Sequence, residues 1–283
     1  MRFAAGIAVT TFAIVAITPT AEAETPYQRG KYLVEVVAAC GNCHTPMGPK
    51  GPIMARALSG GPPLVEPGIK AFATNITSDM ETGIGKWSVA QIVRAVRDGV
   101  RPDGSLIRPP MPFELYRKLS DRDARAIAVY LKRVKPIRAT SPKSVYKVPL
   151  PKNYGPPVGR IAEVPRSDKV AYGAYLAGPV AHCTACHTPL VKGHFDWSRI
   201  GAGGNRYPGP WGVSVSRNIT PHKTDGIGAW SDAKIKRAIT KGIGRDGAKL
   251  APPMGYGYYA RIRPSDLDAL VAYMRSLKPL ATK

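Results

Sequence analysis

The chain has 283 residues, with 41 lysines and arginines against 19 aspartates and glutamates, and a formal net charge of +22. This length is sufficient for two compact domains. So positive a field favours acidic docking surfaces or anionic lipid and raises encounter rates at low salt. Nucleic acid is the usual partner of so basic a chain, but the export signal described next argues against it.

The first 23 residues have the three-part pattern of a secretory signal peptide. Arg2 is followed by a mostly apolar run, Phe3–Ile17, and then by the small-residue sequence Ala21-Glu22-Ala23. An uncleaved membrane anchor is the alternative, but the run is shorter than the roughly 20 residues that span a bilayer. We therefore predict cleavage after residue 23, a periplasmic location, and membrane contact only peripherally or through a partner.

Helical patterns dominate residues 24–136, the first predicted domain. Ser88 and Gln91 form a capping box, and apolar residues recur at helical spacing before Pro136. Helices are predicted over residues 27–39, from 88 to about 98, and from 120 or 121 to just before 136. No run shows convincing strand-like alternation, so the predicted fold class is all-α.

A proline-rich segment follows at residues 137–169. It contains six prolines with scattered lysine and arginine. Proline density of this kind gives a semi-rigid, extended spacer. We expect it to run over the surface and to set the distance between the units on either side.

Residues 170–283 form the second predicted domain, because the chain repeats itself at a constant offset that takes Cys40 to Cys183. The repeat pairs a cysteine cluster, an Asn-Ile-Thr loop, a tryptophan and a Pro-Pro-Met sequence in the same order. It predicts a domain duplication. The formal charges are +7 on residues 24–136, +5 on 137–169 and +10 on 170–283.

All four cysteines lie in two Cys-x-x-Cys-His sequences, the attachment motif of c-type haem. The motifs are Cys40, Cys43 and His44, then Cys183, Cys186 and His187. Two thiols can bond the vinyl groups on one porphyrin edge while the histidine turns to the iron. Disulfides are possible in an exported chain, but neither they nor a redox dithiol need the histidine, and zinc needs further ligands. We predict two haem c groups.

A sixth iron ligand is needed if the iron is to carry electrons without opening to substrate. Of seven methionines, only Met111 and Met254 are paired by the repeat, each at the same separation from its own motif histidine. Methionine opposite histidine raises the potential, and the preceding prolines stiffen the loop. The predicted axial pairs are His44 with Met111 and His187 with Met254; a displaced or absent sixth ligand is the alternative.

Trp87 and Trp230 each follow a Gly-Ile-Gly turn and precede a helix cap. We interpret them as candidate haem-propionate contacts together with the neighbouring loop amides, the alternative being plain core residues. Tyr130 on the last helix of the first unit is predicted to pack over Gly30 on the first helix. The repeat places the same pair in the second unit.

These motifs resemble the cytochrome c subunits of bacterial membrane-associated alcohol, aldehyde and gluconate dehydrogenases. The resemblance lies in both Cys-x-x-Cys-His-Thr-Pro sequences, the loops Asn75–Trp87 and Asn218–Trp230, and the Pro-Pro-Met sequences. It implies the all-α cytochrome c fold, carried beside a flavin, quinone or molybdenum dehydrogenase whose electrons pass to quinone or an oxidase. The usual members have three haem motifs, so two here favour a relay over quinone reduction.

Two functions remain as hypotheses. The first is a dihaem cytochrome that carries electrons from a dehydrogenase to a downstream respiratory acceptor, an oxidase or another cytochrome, through acidic docking partners. The second is a dihaem redox enzyme, peroxidase-like or sulfur-oxidising, with one labile axial ligand. The symmetric methionines favour the carrier or cytochrome subunit over a stand-alone catalyst, and no catalytic residue is predicted.

Overall fold

The computed structural model describes residues 24–209 and 211–282, together with Met1. The predicted signal peptide, residues 1–23, therefore lies outside the described residues except for Met1. Within the described ranges, no helix has both the length and the apolar character needed to cross a bilayer.

The first half begins with a helix that widens into a π-helical turn before the first cysteine cluster. Helix α1 continues directly into this turn, Leu33–Val37. The α-helices of this half are α1 Pro26–Tyr32, α2 Gly41–His44, α3 Val89–Asp98, α4 Phe113–Tyr116 and α5 Asp121–Leu131. The strands are β1 Met47–Gly48, β2 Gly51–Pro52, β3 Pro63–Glu66 and β4 Ile69–Phe72, and the proline-rich segment adds β5 Val145–Tyr146.

The second half repeats these elements in the same order, except that it has no counterpart of β5. Its α-helices are α6 Lys169–Tyr175, α7 Cys183–His187, α8 Asp232–Lys241, α9 Tyr256–Tyr259 and α10 Pro264–Ser276. Its strands are β6 Leu190–Val191, β7 His194–Phe195, β8 Arg206–Gly209 and β9 Gly212–Val215. Helix α6 also ends in a π-helical turn, Leu176–Val180, at the position that the sequence repeat assigns to it.

The predicted all-α class is wrong. Of the residues that the structure describes, 35% are helical and 12% are strand, and these strands form four small antiparallel sheets, β1-β2, β3-β4-β5, β6-β7 and β8-β9. Each strand has two to four residues, which is too short for an alternating pattern to show. Their tight turns place glycines at positive φ, including Gly68 at 75° and Gly212 at 86°, a conformation that glycine adopts without steric cost.

The predicted helix bounds agree with the structure where capping signals exist. Helix α3 starts after Ser88, whose hydroxyl accepts from Gln91 N while the Gln91 side chain bonds back to Ser88 N. This reciprocal pair satisfies two backbone donors that the first helical turn would leave open. Helix α5 starts after Ser120, whose hydroxyl accepts from Asp123 N.

The first and last helices of each half cross at a glycine, as the sequence predicts. A Cβ built on Gly30 in α1 would lie 1.9 Å from the Ala126 carbonyl oxygen of α5 and 2.7 Å from the Tyr130 Cβ. The same contact recurs in the second half, where a Cβ on Gly173 would lie 1.9 Å from the Ala269 oxygen. The two backbones therefore approach more closely than any residue with a side chain would allow.

The two halves share one hydrophobic core and meet through reciprocal buried hydrogen bonds. The Tyr32 hydroxyl of the first half donates to Asp266 Oδ2 of the second at 2.7 Å. The Tyr175 hydroxyl of the second half donates to Asp123 Oδ2 of the first at 2.8 Å. The sequence repeat pairs Tyr32 with Tyr175 and Asp123 with Asp266, so the two bonds are equivalent and the interface has pseudo-two-fold symmetry. Asp123 also binds Arg29 in a bidentate ion pair with both contacts at 2.8 Å.

The proline-rich segment is extended, as expected, but it binds the surface of the first half along its length. β5 pairs with β4, the Tyr154 hydroxyl donates to the Ile107 carbonyl at 2.8 Å, and Val158 N donates to Asp98 Oδ1 at 2.8 Å. The distance between the halves is therefore set by their direct interface, and the segment acts as a strap on one of them.

Replacing Gly30 with alanine should lower the free energy of unfolding by about 1–3 kcal/mol, because the new methyl group forces α1 and α5 apart. Urea unfolding of the holoprotein measures the change. Gly257→Ala is the matched control, since a Cβ there meets nothing within 4 Å, and it should be neutral or slightly stabilising. Equal stability of both variants would show that the helices do not need the close crossing.

Replacing Tyr175 with phenylalanine should lower the free energy of unfolding by about 1.5–3 kcal/mol, because a hydrogen bond to a buried carboxylate is lost. Tyr172→Phe is the control, since its hydroxyl lies 3.4 Å from Arg29, and its effect should be smaller. Chemical denaturation of both variants gives the comparison, and the reverse order would contradict the role given to the Tyr175–Asp123 bond.

Candidate functional site

Each Cys-x-x-Cys-His sequence forms a short helix directly after a π-helical turn. The residue before each cluster is left-handed, with φ of 46° at Ala39 and 45° at His182. Non-glycine residues rarely adopt this conformation, and its recurrence at both clusters shows that each turn is held in place.

The four cysteine side chains are free thiols. Cys40 and Cys43 lie one helical turn apart beside α2, and Cys183 and Cys186 repeat this spacing on α7. Burial raises the pKa of the Cys43 thiol to about 11 and that of Cys183 to about 12. The cysteines are therefore neutral thiols, available in pairs for thioether bonds, and disulfide pairing is absent among the described residues.

Each motif histidine is oriented by a backbone carbonyl. His44 Nδ1 lies 2.7 Å from the Thr74 oxygen, and His187 Nδ1 lies 2.6 Å from the Arg217 oxygen. A carbonyl only accepts, so Nδ1 carries the proton and Nε2 keeps its lone pair for a metal. Burial also lowers the pKa of both imidazoles, which favours the neutral, ligating form.

A buried threonine after each histidine ties the cluster to the following loop. The Thr45 hydroxyl accepts from Leu58 N at 3.2 Å, and the Thr188 hydroxyl accepts from Gly201 N at 3.4 Å. The carbonyl of His44 also accepts from Gly60 N at 2.9 Å. These bonds hold each motif from its carboxyl end, while the π-helical turn holds it from the other.

Met111 and Met254 are partly buried and pack against the core. Each follows a cis Pro-Pro bond and lies just before a short helix, α4 or α9. The carbonyl of Met111 accepts from Phe113 N and that of Met254 accepts from Tyr256 N, both at 3.0 Å. The two loops have matching backbone geometry, and ligation of iron by their thioethers remains a prediction.

Trp87 and Trp230 are also partly buried against the core. The main-chain N–H of each donates to the isoleucine carbonyl of its Gly-Ile-Gly turn at 3.0 Å. Their propionate contacts remain predictions. The side-chain amides of the neighbouring loops are already used: Asn75 Nδ2 donates to the Ile137 oxygen at 2.7 Å, and Asn218 Nδ2 donates to the Leu280 oxygen at 2.6 Å. These asparagines close the loop and are not free to bind a ligand.

Two buried tyrosines beside the cysteines were missed by the sequence prediction. Tyr116 is 5% exposed and Tyr259 is 8% exposed. Burial, with the neighbouring cysteine thiols, raises the pKa of each phenol well above its ordinary value. The sequence repeat pairs these two tyrosines, and this pairing is the feature of the sequence that could have identified them.

The two clusters also face each other across the interface between the halves. A Cβ on Gly41, inside the first motif, would lie 2.9 Å from the Tyr258 hydroxyl oxygen of the second half. Asn42 Nδ2 donates to the Pro253 carbonyl, next to Met254, at 3.2 Å. The first motif therefore lies against the segment of the second half that carries Met254.

The donor set fits haem c. Each half offers paired free thiols, an imidazole with a free Nε2, a thioether in a stiff loop and a largely apolar surround. A family model described as cytochrome c matches residues 170–278. The chain therefore carries a cytochrome c domain, whose implied cofactor is haem c.

Known relatives agree with that class. The chain is 31% identical to a fructose dehydrogenase cytochrome subunit of Gluconobacter japonicus, over 92% of this chain and 54% of the relative. It is 27% identical to a gluconate 2-dehydrogenase cytochrome c subunit of Pantoea cypripedii, over 88% and 59%. It is 29% identical to a diheme cytochrome c-type protein of Cereibacter sphaeroides, over 83% and 81%.

The predicted resemblance to cytochrome c subunits of dehydrogenases is thereby confirmed. The chain spans little more than half the length of the fructose and gluconate dehydrogenase subunits that it matches. It covers most of the diheme protein.

Proposed function

We propose that this chain is a periplasmic dihaem c-type cytochrome, formed by domain duplication, that carries electrons from a dehydrogenase to a downstream respiratory acceptor. The matched pair of histidines, each with Nδ1 bound to a loop carbonyl, is the observation that carries the proposal. Two sites with one geometry support two equivalent haems. The secretory pattern of residues 1–23 supports the location.

The residues of each half have distinct tasks in this function. Cys40 and Cys43 would hold the haem covalently, while the Thr74 carbonyl keeps Nδ1 of His44 protonated and its Nε2 available to the iron. When bound, haem supplies a one-electron ferric–ferrous couple, which is the chemistry that a carrier requires. Met111 would supply its thioether to the haem iron, which would leave no open site for oxygen or peroxide. The second half repeats these roles at the equivalent positions.

The donor is a dehydrogenase in this proposal, because relatives matched over most of this chain are cytochrome subunits of dehydrogenases. The net charge of +22 supports docking on acidic surfaces. A dihaem redox enzyme would need one half to differ from the other at its sixth ligand. The repeated Pro-Pro-Met geometry favours the carrier.

Met111→Ala and Met254→Ala should each remove half of the red charge-transfer band that links methionine sulfur to ferric iron. Each should also lower the potential of one haem, because a methionine ligand raises it. Absorption spectroscopy of the oxidised protein and a redox titration measure both effects. Met80→Ala is the control, since this exposed methionine has no partner in the repeat. High-spin iron in the resting wild-type protein would contradict the carrier.

Raising ionic strength from about 0.01 M to about 0.15 M should slow oxidation of the reduced protein by anionic hexacyanoferrate(III), because the screening length falls from about 30 Å to about 8 Å. The cationic tris(phenanthroline)cobalt(III) ion is the control, and its rate should rise. Stopped-flow absorbance gives both rates. Rates that ignore salt for both reagents would contradict electrostatic docking.

A further inference from the structure

The two halves differ at one edge of their larger hairpins. Hairpin β8-β9 is the repeat counterpart of hairpin β3-β4, since the constant offset takes Pro63 to Arg206 and Ile69 to Gly212. In the first half, β5 joins the free edge of β4 and completes a three-stranded sheet. Across the described parts of the chain, no strand joins the matching edge of β9.

The strap shows what kind of segment such an edge binds. Lys147 N donates to the Gly68 carbonyl at 2.7 Å, and Phe72 N donates to the Ser144 hydroxyl at 2.9 Å. The Tyr146 hydroxyl reaches the Pro109 carbonyl at 2.9 Å. An extended antiparallel segment with one aromatic residue therefore covers β4 and contacts the Pro-Pro-Met loop.

The backbone of β9 offers the same hydrogen-bonding groups. Val213 lies opposite Pro208, and proline has no N–H, so this pair cannot exchange two hydrogen bonds. In an antiparallel ladder, hydrogen-bonded pairs alternate with pairs that are not hydrogen-bonded, and the backbone groups of the second kind point away from the partner strand. The N–H groups of Val213 and Val215 therefore point to the open edge, as does that of Phe72, which lies opposite Pro63.

The outer face of this hairpin is apolar and exposed. Trp211, Val213 and Val215 are 43%, 52% and 42% exposed. Proteins usually protect an open strand edge with lysine or proline. The repeat pairs Val213 with Lys70, so the lysine lies on β4, whose edge β5 already covers, and the open edge of β9 has valine instead. On the inner face, Tyr207 lies against the Cys186 thiol, so the edge is close to the second motif.

The second half replaces one contact of the strap with a residue of its own. The Tyr154 hydroxyl of the strap binds the Ile107 carbonyl. At the equivalent Leu250 carbonyl, the donor is the Tyr256 hydroxyl of α9, at 2.6 Å. The strand β5 itself has no such replacement: among the residues that the structure describes, none pairs with the open edge of β9.

We propose that the open edge of β9 binds an extended segment of a redox partner by β-strand addition, and that this segment combines apolar and aromatic residues with acidic flanks. Strand addition takes its affinity from main-chain bonds and its specificity from alternate side chains. Arg206, which lies opposite Val215, and Arg217, which follows β9 by two residues, are both exposed. Together with the formal charge of +10 on residues 170–283 they favour the acidic flanks. The identification of the occupant as a redox partner rests on the proposed function.

The probe is a capped peptide with the sequence Pro-Glu-Ser-Val-Tyr-Glu-Val-Pro, which is the strap segment 142–149 with both lysines changed to glutamate. It is added to the holoprotein, and amide hydrogen exchange is followed by mass spectrometry. The expected result is saturable protection of the Val213 and Val215 amides. The Ser214 amide, which faces β8, should not change.

Two variants test the main-chain pairing. Val213→Pro removes one edge N–H and should weaken peptide binding about tenfold, the effect of losing one hydrogen bond. Val213→Lys is the matched control, because Lys70 pairs with β5 at the equivalent position, and it should bind normally. N-methylation of the second glutamate in the peptide, the counterpart of Lys147, should weaken binding equally without changing the protein.

Peptide binding that is unaffected by both Val213→Pro and the N-methyl group would overturn the proposal. So would protection of β4 in place of β9, or β9 protection that rises with protein concentration alone, which would assign the edge to a second copy of this chain. Stepwise reduction of both haems is measured in the same samples. Normal reduction without β9 protection would defeat only the docking proposal, whereas haems that accept no electrons would defeat the proposed function.

Discussion

The close crossing of the first and last helices at Gly30, and again at Gly173, is the constraint on which the other features depend. With no room for a Cβ, the backbones of α1 and α5 touch, and the π-helical turn that follows α1 is held against the core. That turn leads into the left-handed residue Ala39 and then into Cys40. The helix crossing therefore fixes the position of the thiols, and the carbonyl of Thr74 fixes the orientation of the His44 ring.

The same arrangement explains why the two halves form one body. The helices that cross in one half also contact those of the other half. The hydroxyls of Tyr32 and Tyr175 each donate a hydrogen bond to a buried aspartate across this interface. A buried carboxylate is costly unless its oxygens are satisfied, so these reciprocal bonds also specify how the halves align. The cysteine motifs lie beside this interface, where Asn42 reaches the Pro253 carbonyl. The two motifs are therefore held in fixed relation, which suits the proposed relay of single electrons.

The features that could be predicted from sequence are those with a local chemical signature. The cysteine motifs, the Ser88 capping box and the Gly30–Tyr130 contact can each be recognised from a few neighbouring or repeated residues. The strands were missed because such short segments cannot show a period. The binding of the proline-rich segment to the first half and the contact between the halves depend on pairings far apart in the chain, such as Tyr32 with Asp266. Tyr116 and Tyr259 were missed because a buried tyrosine has no motif, although the repeat pairs them.

If the two sites are equivalent, each binds one haem, so the number of haems on each polypeptide is the decisive measurement. Intact mass spectrometry of the purified protein, combined with a pyridine haemochrome assay on the same sample, gives the number of haems bound to each polypeptide. Two covalently bound haems on a chain beginning at Glu24 are the predicted result. One haem, or haem released by denaturation, would contradict two equivalent covalent haem sites.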